Sequence, residues 1–321
     1  MSVMCTGSIA IDQIMVFHDH FRNHILADKI HTINVSFFVP TLEKRFGGTG
    51  ANIAYNLRVL DVDPILLGTV GSDFGAYADW MDGHGIRRDW IRVLDDTYTA
   101  QCFITTDLDN NQINSFHPGA MDRAHEAPIS RVGESFGVGI VAPNGKQAML
   151  EHAASLKAQG IPCVVDPGQA MPIFEADELI GMLEGASVYV VNDYEWALTL
   201  EKTGLDEDGI AELTGAVIVT RGEKGSLVRR GKLQNGVRLE SERSEIPPVV
   251  AEKVVDPTGC GDAYRAGILY AVLNDLPLEV GARMGSLLGA LKVALPGPQA
   301  IEHDFGAFRD RFRREFGDDI G

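Results

Sequence analysis

The segment DPTGCGD, residues 256–262, has the residue types that could hold and transfer an anionic group. Gly259 and Gly261 flank Cys260, and a helix is predicted to begin directly after them. Their backbone amides would point at one spot together with the positive end of the helix dipole, which forms an anion hole. Asp262, in the first turn of that helix, could accept the proton of an attacking hydroxyl. This arrangement suits phosphoryl transfer, in which charge develops on the equatorial oxygens of the transferred group.

The same residues also have a simpler interpretation. Asp262 could only cap a helix, and the two glycines could only form a tight turn. No G-x-x-x-x-G-K-[ST] motif occurs in the chain, which argues against a P-loop nucleotide-binding protein. No G-x-G-x-x-G motif follows the first predicted strand, which lowers the case for a classical dinucleotide-binding fold. At this point both interpretations of residues 256–262 stay open.

A second glycine-rich segment, FGGTGANIAYN at residues 46–56, runs into another predicted helix. Gly47 and Gly48 would let a ligand approach the backbone closely. Asn52 would project from the first turn of the helix, and its amide offers both a donor and an acceptor, which suits a sugar diol. Glycines at the start of a helix are common, so this segment alone is a weak signal.

The elements that must position these segments alternate between strand and helix. Buried strands are predicted at residues 3–9, 64–70, 138–142, 163–166, 187–192 and 216–220. Helices are predicted at residues 47–60, 74–85, 145–159, 194–200, 262–274 and 278–295. This alternation predicts an α/β fold with a mainly parallel sheet and helices on both faces. An antiparallel pair within residues 229–250 would lie at the sheet edge.

A small sheet is predicted apart from this main body. Three β-rich segments, residues 33–39, 98–106 and 112–116, would form it. The stretch DLDNN, residues 107–111, has the composition of a hairpin turn between the last two.

Composition and charge limit the partners of the chain. Its 321 residues include 28 Lys and Arg against 45 Asp and Glu, a net charge of −17, which argues against binding to nucleic acid or anionic membranes. An anionic ligand would therefore have to be held by backbone amides, a metal ion or a few basic side chains. The four cysteines are scattered, and no apolar run reaches the roughly 18 residues of a membrane span. With no signal-peptide pattern at the N-terminus, we expect a cytoplasmic protein.

The two glycine-rich segments, in this order and at this separation, resemble the two defining motifs of the ribokinase-like, or PfkB, carbohydrate kinase family. The similarity extends over about residues 3–295. Within the family, the chain is most similar to bacterial adenosine kinases of the mycobacterial type. The stretches that carry this similarity are TGSIAIDQIMVF, SFFVPTLEKRFGGTGANIAYNL, NSFHPGAM, VVNDYEWAL and DPTGCGDAYRAG.

The resemblance implies a single Rossmann-like domain over residues 1–321, with a small β lid formed by about residues 13–45 and 97–118. It implies ATP and Mg²⁺ as cofactors and transfer of the γ-phosphoryl group to the 5′-hydroxyl of adenosine, giving AMP and ADP. Asp262 would be the catalytic base, with Gly259, Cys260 and Gly261 as the anion hole. The resemblance also allows a homodimer through the lid.

The family pattern also assigns residues to the acceptor pocket. They are Ser8, Asp12, Ser36, Gly47, Gly48, Asn52, Phe116 and Gln169. Asp12 and Asn52 would hold the ribose hydroxyls, and Phe116 would stack on the base. Each has an alternative: Asp12 could cap a turn, Phe116 could belong to the lid core, and Gln169 could be a solvated loop residue.

On the nucleotide side, the pattern assigns Asn192, Glu195, Thr220, Gly222 and Gly225. Glu195 would support Mg²⁺ indirectly, through water, because this ion keeps several waters and takes other ligands from the substrate phosphates. The two glycines would allow ATP to approach the turn.

One departure and two rival functions remain. The family carries a small residue such as Ala at Cys260, so the thiol could make the enzyme sensitive to oxidation. A sugar kinase of the same family is one rival, and a sugar-phosphate kinase would need basic residues near the acceptor, for which Lys29, Lys44 and Arg45 are candidates. The other rival is a non-catalytic nucleoside-binding protein.

Overall fold

The computed structural model describes residues 1–25, 31–32, 34–109, 111–234 and 237–320. The strands are, in chain order, β1 (Ser2–Thr6), β2 (Ala10–Val16), β3 (Thr41–Gly47), β4 (Pro64–Gly71), β5 (Ile91–Leu94), β6 (Ala100–Thr106), β7 (Gln112–His117), β8 (Phe136–Val141), β9 (Cys163–Val165), β10 (Val188–Asn192), β11 (Val217–Thr220), β12 (Ser226–Gln234) and β13 (Val237–Ile246). The α-helices are α1 (Thr49–Val59), α2 (Gly75–Gly83), α3 (Lys146–Ala158), α4 (Ala176–Leu183), α5 (Asp193–Thr203), α6 (Glu207–Leu213), α7 (Cys260–Leu273), α8 (Leu278–Val293) and α9 (Phe305–Phe316).

The large sheet has nine strands in the order β13-β12-β11-β10-β9-β8-β1-β4-β5. Seven neighbouring strands, from β11 to β5, pair in parallel, and β12 and β13 add an antiparallel edge. The predicted α/β fold is therefore confirmed, and so is the antiparallel pair at the sheet edge.

Both faces of the large sheet are buried. Successive side chains of a strand point to opposite sides, so each strand contributes to both faces. In β10, Val188 and Val190 enter one apolar cluster, while Tyr189 and Val191 enter the other. Helices α1, α2, α7, α8 and α9 cover the first face, and α3 to α6 cover the second. Among the described residues, no helix is long and apolar enough to cross a membrane.

The small sheet has four strands in the order β3-β2-β6-β7, and we call it the lid sheet. The sequence predicted β6 and β7 but missed β2 and β3. The strand predicted at residues 33–39 is wrong for residues 34–39, which have no regular structure, and residue 33 lies outside the described residues. Within this segment, the Phe37 ring packs against the rings of Phe17 and Phe21, with centroids 4.9 and 5.0 Å away, so its apolar contacts are made in an aromatic cluster and not in a strand.

The connection from β1 to β2 leads from the large sheet into the lid sheet. The first strand ends at Thr6, earlier than predicted, and Gly7 after it lies so close to α1 that a Cβ on Gly7 would meet Gly50 Cα at 2.8 Å. The chain then enters β2, so Asp12 lies inside a strand of the lid sheet.

Between β6 and β7, Asp107 Oδ1 accepts hydrogen bonds from the amides of Asp109 and Asn111, which confirms the predicted turn for its described residues.

Candidate active site

The entrance of α7 forms a tight turn that requires glycine. Gly259 has φ +80°, the left-handed conformation, and a Cβ there would lie 2.6 Å from Pro298 Cβ. The amide of Cys260 donates to Pro257 O at 3.2 Å within the turn. Within the described chain, the backbone amides of Gly259 and Gly261 donate no hydrogen bond to the protein. The anion hole expected from three amides thus has two uncommitted ones, since the turn uses that of Cys260.

The carboxylate of Asp256 stabilises this turn through hydrogen bonds. Its carboxylate accepts hydrogen bonds from the Thr258 amide at 2.9 Å and the Gly297 amide at 2.8 Å. Arg45, from β3 of the lid sheet, donates to the same carboxylate at 3.0 Å. The lid sheet and the glycine turn are therefore joined by an ion pair.

Asp262 lies in the first turn of α7 and is half-buried. Asn52 Nδ2, in α1, donates to Asp262 Oδ2 at 2.8 Å, so the two glycine-rich segments meet here. Burial raises the pKa of Asp262 to about 6, against the opposing effects of the Asn52 hydrogen bond and the charge of Arg265. A carboxylate with a pKa in this range can take up a proton near neutral pH, as a general base must.

A buried amide holds Asn52 in the orientation that this bond requires. Gln299 Nε2 donates to Asn52 Oδ1 at 3.0 Å and to the Tyr77 hydroxyl at 2.6 Å. Trp80 Nε1 donates to Gln299 Oε1 at 2.8 Å, which fixes the Gln299 amide in turn. Because Oδ1 of Asn52 accepts, its Nδ2 is left to donate to Asp262. Sequence reasoning missed this set.

A buried ion pair lies one helical turn after Asp262. Arg265 Nε and Nη2 donate to the two carboxylate oxygens of Asp166 at 2.8 and 3.1 Å, and both side chains are buried. Asp166 directly follows β9, so this pair fastens α7 to the carboxyl end of the parallel sheet. The bidentate geometry positions the helix that carries Asp262.

Asp12 is half-buried in β2, at the edge of the same site. Burial raises its pKa to about 6, opposed by the charge of Arg45 and reinforced by that of Asp256. A Cβ on Gly47 would lie 3.0 Å from Asp12 Oδ2, so the Gly47 backbone lies directly against this carboxylate. Gly48 has φ +91°, and a Cβ there would lie 2.5 Å from Ser8 O. Glycine is thus required at position 48 by its φ and its contact with the Ser8 backbone, whereas a side chain at position 47 would press on the Asp12 carboxylate.

Asp12 belongs to a row of side chains across the lid sheet. It is the direct partner of Arg45 on one side and of Cys102 on the other, and Cys102 is the partner of Phe116. Directly paired residues share a face, so the row Arg45–Asp12–Cys102–Phe116 faces one way. Phe116 is 50% exposed, so its ring is not packed into a lid core.

The other residues predicted for the acceptor pocket differ in their surroundings. Ser8 is buried, and its Oγ accepts from the Thr49 amide at 2.9 Å, at the start of α1. Ser36 is exposed in the segment 34–39, and Gln169 is exposed beyond β9. Contact of these residues with a ligand stays a prediction.

Asn192 and Glu195 form a reciprocal cap at the start of α5. The Asn192 amide donates to Glu195 Oε2 and the Glu195 amide to Asn192 Oδ1, both at 2.8 Å. Burial raises the pKa of Glu195. One carboxylate with an oxygen in a helix cap is too few ligands for direct Mg²⁺ coordination, but it fits a contact through water.

The two glycines in the turn after β11 differ in the space around them. Thr220 Oγ1 donates to Val191 O at 3.3 Å, which fixes the start of the turn. Gly222 has φ +55° and open space where a side chain would be, as close approach of a ligand requires. Gly225 has φ +80°, and a Cβ there would lie 2.1 Å from Ile246 O, so packing alone already demands this glycine.

Comparison with known proteins agrees with this geometry. The profile of pfkB family carbohydrate kinases matches residues 2–304. The nucleoside kinase of Methanocaldococcus jannaschii is 29% identical over 300 residues, 92% of each chain. The structure of Burkholderia thailandensis nucleoside kinase in complex with inosine is 41% identical, with a TM-score of 0.86, over 99% of this chain and 100% of that chain.

The adenosine kinase of Sinorhizobium meliloti, at 22% identity and a TM-score of 0.75, shares the fold. The narrower similarity to adenosine kinases of the mycobacterial type stays a prediction. The resemblance read from the two glycine-rich segments is confirmed at the level of the family. The chain belongs to the pfkB family of carbohydrate kinases.

Proposed function

We propose that the protein is an ATP-dependent nucleoside kinase that phosphorylates the 5′-hydroxyl of a purine nucleoside, with adenosine giving AMP and ADP. The observation that carries this proposal is the Asn52–Asp262 hydrogen bond of 2.8 Å, which places the base beside a polar amide at the entrance of α7. The relatives that bind or act on nucleosides support the acceptor class.

In the proposed mechanism, Asp262 takes the proton of the 5′-hydroxyl as its oxygen attacks the γ-phosphorus. The bond to the β,γ-bridging oxygen breaks, and ADP leaves. The amides of Gly259 and Gly261 and the dipole of α7 hold the charge that develops on the phosphoryl oxygens. Glu195 would hold Mg²⁺ through water, and the ion would neutralise charge on the ATP phosphates.

The row of the lid sheet supports a nucleoside as the acceptor. Asp12 can accept hydrogen bonds from a ribose diol, and Phe116 offers a half-exposed ring on the same face. Two strand spacings separate them, about 10 Å, which is comparable to the length of a purine nucleoside. A free sugar would leave the aromatic end of this row unused.

The basic residues near the acceptor do not favour a sugar phosphate. Arg45 is bound to Glu43 and Asp256. Lys44 lies on the opposite face of the lid sheet from Asp12, with its Nζ 5.9 Å from the Phe46 ring centroid. Lys29 lies outside the described residues. An acceptor without a phosphate group therefore suits this pocket better.

The test is an ADP-release assay with Mg-ATP on adenosine, inosine, guanosine, ribose and fructose, with the product identified by mass. We expect a purine nucleoside to be used at least about tenfold faster than either sugar, as kcat/KM. The Asp262→Asn variant should lose about 10²–10⁴ in turnover and keep nucleoside binding, measured by calorimetry. A sugar as the best acceptor would refute the nucleoside assignment, and turnover of Asp262→Asn within about tenfold of wild type would refute the base.

We also propose that the lid sheet pairs with that of a second copy. Its face opposite to Asp12 exposes Leu42, Phe103 and Ile113, at 65%, 41% and 40%. These side chains lie on β3, β6 and β7 of the same sheet and form an apolar surface of the kind found at protein interfaces. Sedimentation should show a dimer that Leu42→Glu converts to a monomer, and a wild-type monomer would rule this out.

A further inference from the structure

Lys292 has an unusual position for a lysine. It lies in the last turn of α8 and is fully buried. Burial of a charged side chain is costly, because the charge loses its contact with water. Its Nζ donates to two main-chain carbonyls, Asp256 O at 2.7 Å and Leu295 O at 3.1 Å. The ammonium therefore sits among backbone oxygens, as a bound monovalent cation would.

The two carbonyls belong to the two segments that enclose the glycine turn. Asp256 begins the segment that leads to Gly259, and Leu295 begins the segment that contains Gly297 and Pro298. Gly259 packs on Pro298, where a Cβ would come within 2.6 Å, and the Gly297 amide donates to the Asp256 carboxylate at 2.8 Å. Lys292 thus links the two segments that enclose the glycine turn.

The C-terminal half of α8 supports the same turn in other ways. Val293 O accepts hydrogen bonds from the amides of Val255 and Asp256, at 2.8 and 3.1 Å. Cys260 Sγ donates to Gly289 O at 3.6 Å. Burial raises the pKa of the Cys260 thiol and the charge of Lys292 opposes this rise, so the ammonium acts electrostatically on the turn itself.

We infer that Lys292 is a positioning residue for phosphoryl transfer, whose buried ammonium serves as a built-in cation under the anion hole. It fixes the amides of Gly259 and Gly261 and adds positive charge below the transferred group. This inference rests on the proposed role of these amides. It predicts that Lys292 acts on the chemical step and not on ground-state binding of either substrate.

The test compares Lys292→Met with Lys157→Met. Lys157 is a matched control, because it also lies in the last turn of a helix, α3, and its Nζ donates to main-chain carbonyls of Gly181 and Glu184 at 2.7 and 2.9 Å. In Lys292→Met we expect kcat to fall about 100-fold with both KM values within about threefold of wild type. Lys157→Met should retain the wild-type kcat.

Chemical rescue separates the charge from packing. Lys292→Ala leaves a cavity lined by carbonyl oxygens. Added ethylammonium should therefore raise the kcat of this variant at least about tenfold. Tetramethylammonium at equal ionic strength is too large and has no N–H donor, so it should recover nothing. Lys292→Met fills the cavity and should not respond to either amine.

Two outcomes would overturn the inference: a kcat of Lys292→Met within about threefold of wild type, or a folded Lys292→Ala that no amine rescues. Thermal unfolding monitors the fold of each variant. If truncation prevents folding, Lys292→Gln, which keeps an N–H donor group but no charge, should show the same loss of kcat at unchanged KM. The assay uses whichever acceptor the wild-type protein phosphorylates, so failure of the nucleoside proposal leaves this result interpretable.

Discussion

The hydrogen bond from Asn52 to Asp262 should set the pH range in which the enzyme works. Burial raises the pKa of Asp262 to about 6, and this bond opposes the rise. A hydrogen bond to a charged group contributes about 1.5–3 kcal/mol, and 1.36 kcal/mol corresponds to about one pH unit. In Asn52→Ala the carboxylate loses that donor, so its pKa should rise by about one to two pH units.

The assay is kcat as a function of pH, from about pH 5 to about pH 9, at saturating acceptor and ATP. A base works only when deprotonated, so kcat/KM of the wild type should fall as the pH drops through about 6, the pKa of Asp262 in the free protein, and kcat should fall in the same direction. In Asn52→Ala the same fall should begin at a pH higher by about one to two units. Because the pKa of Asp12 is also raised to about 6, kcat/KM should fall more steeply than kcat. Asp12→Asn is the control that removes this second titration.

An acid limb of Asn52→Ala that coincides with that of the wild type would refute this prediction. Either Asp262 would not be the base, or the bond to Asn52 would be broken when substrate is bound. Gln299→Leu gives an independent check, because it frees the Asn52 amide without removing it. Its acid limb should move in the same direction by a smaller amount.

Three further variants test other parts of the site. Phe116→Ala should cost about 1–3 kcal/mol of purine nucleoside binding, measured by calorimetry, and an equal loss for free ribose would contradict stacking. Gly259→Ala should lower both kcat and the melting temperature, at a cost of at least about 1–2 kcal/mol, because the residue needs φ +80° and lies against Pro298. Arg265→Met leaves the Asp166 carboxylate buried without its partner and should lower the free energy of unfolding by about 3–5 kcal/mol in urea, much of which Asp166→Leu in the same chain should restore.

The large sheet could be predicted from the sequence because its parallel strands are buried on both faces. Such strands appear as continuous apolar runs, and the predictions at residues 138–142 and 187–192 lie within two residues of β8 and β10. Strand β3, TLEKRFG, is largely exposed and carries three charges, so it has no such run. Residues 34–39, NVSFFV, are mostly apolar, but Phe37 packs on aromatic rings of the same connection, and no local pattern distinguishes this packing from a strand.

Local spacing was enough to single out the two side chains that meet at the entrance of α7, whose roles stay a proposal. Asp262 and Asn52 each follow a glycine turn at the start of a helix, and the structure brings them into contact across 210 residues. Gln299 lies 247 residues from Asn52, and its role follows only from tertiary packing. Lys292 is one of 28 basic residues, and nothing near it in sequence marks its burial. The use of the Cys260 amide by Pro257 likewise depends on the geometry of the turn.

The net charge of −17 raises the question of how this chain holds ATP. The cations nearest the glycine turn are already engaged: Arg45 binds Asp256, Arg265 binds Asp166, and Lys292 binds main-chain oxygens. In the proposed mechanism, the direct contacts to the phosphates would therefore come from backbone amides, the dipole of α7 and Mg²⁺, while the buried charge of Lys292 would act from a distance. Fixed dipoles need no reorganisation when charge develops, so the free-energy cost of arranging them falls on folding and not on the catalytic step.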